Sequence, residues 1–276
     1  MELDKQKIEA ALEAANNSAR QSRYLPFSLH LYDNVTSTNQ VLWKLVQEGA
    51  PSGTVVIAEQ QTAGRGQWGR QWLSSRGGLY LSVAITPNIE VQNSYQLTFA
   101  TAWGIAKQLR NCNIPVAIKW PNDLVLNKFK LGGILTETKI SYGKISQAVI
   151  GVGINWSNSV PTTGINLESW LQQDITAIPT ISNIEMLATQ VLLGIESGIE
   201  CMTQKGVDVL LPNYTSLLTN IGEGVYLDDV LGTVVGVTST GCLHVRMETL
   251  DSKSVDTPDF FLSPGTISLG YSKSSE

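Results

Sequence analysis

The sequence predicts an α+β fold: a central mixed β-sheet with flanking helices over residues 28–220, then a small SH3-like β-barrel over residues 221–270, with a helical extension, residues 1–27, ahead of both. Three observations carry this. Strand-length apolar runs, Val55–Ala58, Leu79–Ile85 and Ala148–Ile154, recur between polar turns. Helical stripes lie between and after them: Val41, Leu42, Leu45 and Val46; then Leu97, Ala100, Ile105 and Leu109; then Leu187, Val191, Ile195, Ile199 and Met202. From Val225 the pattern shortens to brief strands separated by turns such as Ser239–Cys242. At 276 residues the chain has room for one large domain and one small one.

In chain order, residues 1–20 read as a short polar helix with Ile8 and Leu12 on one face. Phe27–Tyr32 alternates like a strand, and Thr36-Ser37-Thr38-Asn39-Gln40 opens a helix that ends at Gly49. Ser37 with Gln40 fits a capping box, although the same hydroxyls and amide suit a polar ligand. Strands near 53–58 and 79–86 precede a helix over 94–111. Two hairpins follow, turning at Asn127–Lys130 and at Ser141–Lys144. Residues 157–181 read as a loop rich in Ser, Thr and Pro; a capping box at Ser182–Glu185 then starts a core helix, and a further helix covers roughly 206–219.

Composition excludes several functions. A net charge of −5 argues against a general nucleic-acid binder. No apolar run approaches the ~20 residues of a membrane span, and the acidic start Met1-Glu2-Leu3-Asp4 lacks a signal-peptide core. The three cysteines show no CxxC spacing and read as reduced thiols, so a cytoplasmic location is expected. With only His30 and His244, a histidine-rich metal site or a histidine triad has little material.

The densest functional signal is Gln61–Trp72, which interleaves three glycines with Arg65, Arg70, Trp68 and Trp72. Glycines let backbone N–H groups form a concave anion nest, and guanidinium forks match phosphate or carboxylate oxygens. The loop is therefore expected to close over an anionic small molecule. Gly64, Gly66 and Gly69 also satisfy the dinucleotide pattern GxGxxG, but a turn and a strand follow instead of a helix, which excludes a Rossmann site. Lys119 lies in the apolar run Val116–Trp120, just before Pro121-Asn122-Asp123. A half-buried lysine needs an anion, either Asp123 or a ligand oxyanion. Gly132 and Gly133 beside Lys130, and Gly151 and Gly153 beside Asn155, interrupt successive apolar strands; they mark β-bulges or a floor on which a ligand lies.

Five segments in this order, Thr36–Asn39, Gln61–Gly66, Lys119–Asp123, Lys130–Leu135 and Gly151–Asn155, together with the C-terminal barrel, resemble the biotin–protein ligases over about residues 28–270. The resemblance implies a class II synthetase-like catalytic domain. It also implies a reaction: biotin and ATP give biotinyl-5′-AMP and pyrophosphate, and biotin then passes to a lysine of a biotin carboxyl carrier protein. It places Ser37, Thr38, Asn39, Gln61, Gly64, Arg65, Gly66, Lys130, Gly132, Gly133, Gly151 and Gly153 around biotin. Arg65, Arg70, Trp72, Lys119, Asn122 and Asn155 fall around ATP, and Asp123 becomes a Mg²⁺ ligand. Arg65, Lys119, Lys130 and Asp123 would carry the chemistry. Residues 1–27 are too short for the DNA-binding domain of regulatory members, so a purely enzymatic form without nucleic-acid or membrane partners is expected. Many relatives also carry arginine where Gln67 stands. Two other readings remain at this point: a lipoate–protein ligase, and a non-catalytic biotin or nucleotide sensor.

Overall fold

The computed structural model describes residues 3–19, 23–173, 181–227, 230–247, 258–266 and 269. Residues 248–257 ahead of Pro258, near which a loop is expected, and residues 174–180 of the expected 157–181 loop lie outside these. The central sheet is mixed, as the sequence predicts. Its strands are β1 (Ser28–Val35), β2 (Thr54–Gln61), β3 (Gly78–Ile85), the two-residue β4 (Ile89–Glu90), β5 (Ala117–Lys119), β6 (Asp123–Leu126), β7 (Phe129–Ser141) and β8 (Lys144–Asn155). They run β1-β2-β3-β8-β7-β6-β5, with β4 beside β8. Only β1 and β2 pair in parallel; the rest of the ladder is antiparallel. β3 is buried along its whole length, which explains its continuous apolar run. Both hairpins form where expected, with positive φ at Asn127 and Lys128 and again at Tyr142 and Gly143.

The helices are α1 (Lys5–Ala19), α2 (Thr38–Gln47), α3 (Tyr95–Asn111), α4 (Leu167–Gln173), α5 (Ile184–Glu200) and α6 (Val207–Thr215). α3 and α5 cross at backbone contact: a Cβ on Gly104 or Gly198 would overlap a carbonyl of the other helix. α1 packs against α5 with Ile8 and Leu12 buried in the main core. It is thus part of the fold rather than a loose appendage. Three local expectations are corrected. Ser37 stands at the α2 N-cap, yet its side chain makes no capping bond. Asn183, not Ser182, caps α5 by accepting from the Met186 N–H at 2.8 Å. The predicted 157–181 loop contains α4, whose Leu167 and Trp170 supply buried surface that its polar neighbours obscured.

Beyond residue 220 a second sheet forms from β9 (Gly224–Leu227), β10 (Val230–Val237), β11 (Leu243–Met247) and β12 (Asp259–Leu262). These four strands are antiparallel in the order β12-β11-β10-β9, consistent with a small SH3-like unit. The unit is tied to the sheet domain by the Trp120 indole N–H, which donates to the Gly241 carbonyl at 3.0 Å, while the Trp120 backbone N–H donates to Asn220 Oδ1 just ahead of the unit. Among the described residues no helix is long and apolar enough to cross a membrane.

Candidate active site

Sheet register builds the floor. Lys119 lies opposite Asp123, Asp123 opposite Gly133, and Gly133 opposite Gly153, a single row across β5, β6, β7 and β8. Directly opposed residues share a face, so two charges and two glycines meet on one side of the sheet. Two residues further along, Leu135, Gly151 and Ser82 form the next row. The glycines are not bulged; they keep register with β8. The bulge falls just before them, where β7 inserts Leu131 between the residues paired to Leu124 and Val125. Bulges re-aim side chains, and this one directly follows Lys130, whose Nζ lies 2.6 Å from Asp123 Oδ1.

Above the floor lies a cavity of about 220 Å³. Ser37, Thr38, Asn39, Gln61, Arg65, Gly66, Arg70, Trp72, Lys119, Asn122, Asp123, Lys130, Gly133, Gly151 and Gly153 all line it. Three residues with expected roles do not. Gly64 is packed under the Ser74 hydroxyl and the Trp72 carbonyl, and Gly132 faces the Gly153 backbone. Asn155 is buried and engaged: its amide donates to the Lys130 carbonyl (3.4 Å) and the Ile165 carbonyl (3.2 Å), while its oxygen accepts from Asn158. It clamps the Lys130 backbone rather than reaching the cavity.

One end of the cavity is neutral and already hydrogen-bonded. β1 and β2 prolong their pairing through Thr62 N–H to Val35 C=O and Ala63 N–H to Thr36 C=O, both 2.9 Å, which sets the α2 start beside Gln61. Gln61 Oε1 accepts from the Thr38 N–H (2.9 Å) and hydroxyl (3.2 Å), and its Nε2 donates to Ser74 (2.8 Å). Ser82, fully buried, lies 2.8 Å from Thr38 Oγ1 and 2.6 Å from Asn39 Oδ1. Asn39 Nδ2 then donates to Glu137 Oε2 at 2.8 Å. The side chain of Asn39 occupies the space a Cβ at Gly151 would fill, which is why that position is glycine.

The other end is cationic. Arg65, Arg70, Lys119 and Lys130 line it against a single carboxylate among the described lining residues, Asp123. In an acidic chain this local excess of positive charge favours an anionic ligand. Burial pushes the Lys119 ammonium below its usual value; the nearby Asp123 and Glu223 charges oppose that shift, and Lys130 adds to it. The loop over this end is ordered by Gly66 N–H to Arg70 C=O (2.7 Å) and Trp72 N–H to Gly64 C=O (3.0 Å). The Trp72 ring lies against Gly153, where a Cβ would overlap it, and Lys130 Nζ stands 5.4 Å from its centroid. Trp68 rests on Gly265, a residue just beyond β12. No cluster of three metal-ligating side chains occurs among the described residues. For Asp123 to hold a metal, its pair with Lys130 would have to open. Among the described residues, then, no set of side chains fits a resident metal ion.

Sequence reasoning missed Ser82 and Glu137, which link the two ends. The available signal was a lone hydroxyl in Leu81-Ser82-Val83 and a lone carboxylate in β7, and neither carries meaning until register brings them together.

A mixed sheet with such a two-ended cavity suits an enzyme that joins two small molecules, and sequence relatives name the class. The model of the biotin/lipoate A/B protein ligase family matches residues 31–155. Escherichia coli bifunctional ligase/repressor BirA is 32% identical over 220 residues, covering 78% of this chain and 68% of that protein. Bacillus subtilis bifunctional ligase/repressor BirA is 38% identical over 126 residues, but the match spans 39% of its length and 45% of this chain. The biotin protein ligase of Aquifex aeolicus, solved in complex with biotin and ATP, superposes with a TM-score of 0.62 at 24% identity, over 84% of this chain and 95% of that one. The chain belongs to the biotin–protein ligases within that family.

Proposed function

We propose that this cavity joins biotin to ATP and passes the biotinyl group to a lysine of a biotin carboxyl carrier protein, the acceptor subunit of acetyl-CoA carboxylase. The observation that carries this reading is the unlike character of the two ends. Ser37, Thr38, Asn39 and Gln61 offer neutral donors and acceptors that suit a cyclic urea, while Arg65, Arg70, Lys119 and Lys130 suit a carboxylate beside a triphosphate. Glycines at 151 and 153 let the Asn39 and Trp72 side chains pack down onto the sheet, so that both wall the cavity.

In the first half-reaction a biotin carboxylate oxygen attacks the α-phosphorus of ATP. The phosphorus–oxygen bond to pyrophosphate breaks, leaving biotinyl-5′-AMP. Both reactants are anions, so the protein's task is to hold them in line and to stabilise charge on the phosphoryl oxygens. Lys130, fixed by its clamped backbone and its bulge, is placed for this, with Lys119 beneath and Arg65 and Arg70 on the loop. In the second half the carrier amine attacks the acyl carbon, AMP leaves with the carbon–oxygen electrons, and the amine proton passes to solvent. No covalent enzyme nucleophile is required. The test is to incubate the chain with biotin, Mg·ATP and a purified carrier domain, then weigh the carrier. One added biotinyl group per carrier, absent without ATP, supports the reading; an unmodified carrier, or lipoate accepted in preference, overturns it.

A further inference from the structure

We propose that Glu137 is a positioning residue that holds Arg65 in reserve, as an internal counter-anion which a phosphate must displace. This rests on the reading that Arg65 serves the phosphate end. One Arg65 terminal nitrogen lies 3.1 Å from both Glu137 carboxylate oxygens. Glu137 follows Gly133 and Leu135 by two-residue steps along β7, so it shares their face at the cavity's rim. A carboxylate there repels an incoming triphosphate, and that makes its placement informative. It is aimed by Asn39 Nδ2 at 2.8 Å, and Asn39 is aimed in turn by the buried Ser82 hydroxyl at 2.6 Å. The carboxylate thus belongs to the rigid neutral end, while the guanidinium it grips belongs to the loop.

Glu137 takes one Arg65 terminal nitrogen and balances the guanidinium charge, so a phosphate competes with it for that group. Ligand binding therefore exchanges one charge-assisted contact for another, and the pair restrains the loop when the site lacks an anion. The pair is partly solvent-exposed, so the exchange has a modest cost.

The experiment titrates inorganic pyrophosphate, and separately ATP without biotin, into the full chain and into Glu137→Gln. The substituted amide keeps an oxygen of the same reach but carries no charge. The expected result is tighter pyrophosphate and ATP binding in the variant, by about two- to fivefold. A merely structural glutamate would give unchanged or weaker binding on removal, together with a lower melting temperature. In an Arg65→Gln background the same change should yield no gain; a gain that persists would reduce the effect to bulk charge and overturn the proposal. Glu90→Gln, at an exposed pair with Lys144, controls for net charge and should leave both affinities alone. Unchanged or weaker pyrophosphate binding in a folded Glu137→Gln chain also overturns the proposal. Because pyrophosphate binding needs neither biotin nor turnover, failure of the ligase reading would show up separately.

Discussion

The two ends of the cavity are built to different rules. At the neutral end Thr38, Asn39 and Ser82 are nearly or wholly buried, and the bonds joining them to one another and to Gln61 run between neutral groups on the sheet and the start of α2. At the cationic end Arg65 and Arg70 ride on a glycine-bearing loop, and the ion pairs Arg65–Glu137 and Lys130–Asp123 keep some solvent access. Buried neutral networks are costly to leave half-made, so the first end works as a fixed template. Partly exposed charge pairs contribute little to stability, so the second end can change partners when a ligand arrives. Under the proposed reaction, recognition falls to a stiff wall and chemistry to an adaptable one.

The largest expected effect comes from breaking the cationic end at Lys130, whose backbone carbonyl Asn155 holds. Under the proposed reaction, Lys130→Ala removes an electrostatic donor from the transferring phosphoryl group. The rate of biotinyl-AMP formation should fall about 10²- to 10³-fold, a loss of ~3–4 kcal/mol, with the melting temperature little changed. A single-turnover assay checks this; a rate within a few-fold of the parent would remove Lys130 from the chemistry.

Breaking the template should behave differently. Ser82→Ala leaves Thr38 and Asn39 without their shared partner in a buried setting, at about 1–3 kcal/mol. Biotin affinity should weaken by about 10- to 100-fold and the melting temperature should drop as well. If stability falls and biotin binding does not, the network serves the fold alone.

The cationic end was the more legible in sequence, and the reason is physical. A lysine inside an apolar strand, or arginines between glycines, stand out because each conflicts with its local pattern, so Lys119, Lys130 and Arg65 could be picked out one by one. Serine in an apolar strand conflicts with little, and Ser82 gained meaning only when register set it opposite Gly151 on β8 and beside the start of α2. Glu137 acquired its partners the same way. Asp123 was expected to pair with Lys119 or to hold a metal or a ribose; it lies opposite Lys119 and favours its charge, and it also pairs with Lys130 beside the bulge at Leu131, a feature that composition does not mark. Asn155 looked like a ligand residue because it follows the Gly151–Gly153 strand, yet loop 161–165 comes alongside and takes its amide.

Two smaller effects sharpen the contrast. The Gln67 side-chain oxygen is buried and has no hydrogen-bond partner among the described residues. Gln67→Arg supplies a charged contact to the closed loop. It should slow release of preformed biotinyl-AMP by about tenfold or less, read in a chase with excess biotin and ATP. An unchanged or faster release would mean that Trp68 on Gly265, and Trp72 on Gly153, already hold the loop. The smallest effect concerns pH. Only the ammonium form of Lys119 attracts phosphate, and burial lowers its pKa from the ordinary 10.5, so ATP affinity should decline as alkaline pH passes through that lowered value. Lys119→Arg keeps its proton there, and its ATP affinity should stay flat over the same range.

The central claim is that one cavity holds biotin and ATP side by side and joins them. Its most direct test omits the carrier: incubate the chain with biotin and Mg·ATP, release the bound small molecules, and weigh them. The account predicts biotinyl-5′-AMP in amounts that match the protein and the pyrophosphate set free. Pyrophosphate without biotinyl-AMP, or neither product from a chain that binds both substrates, would contradict it.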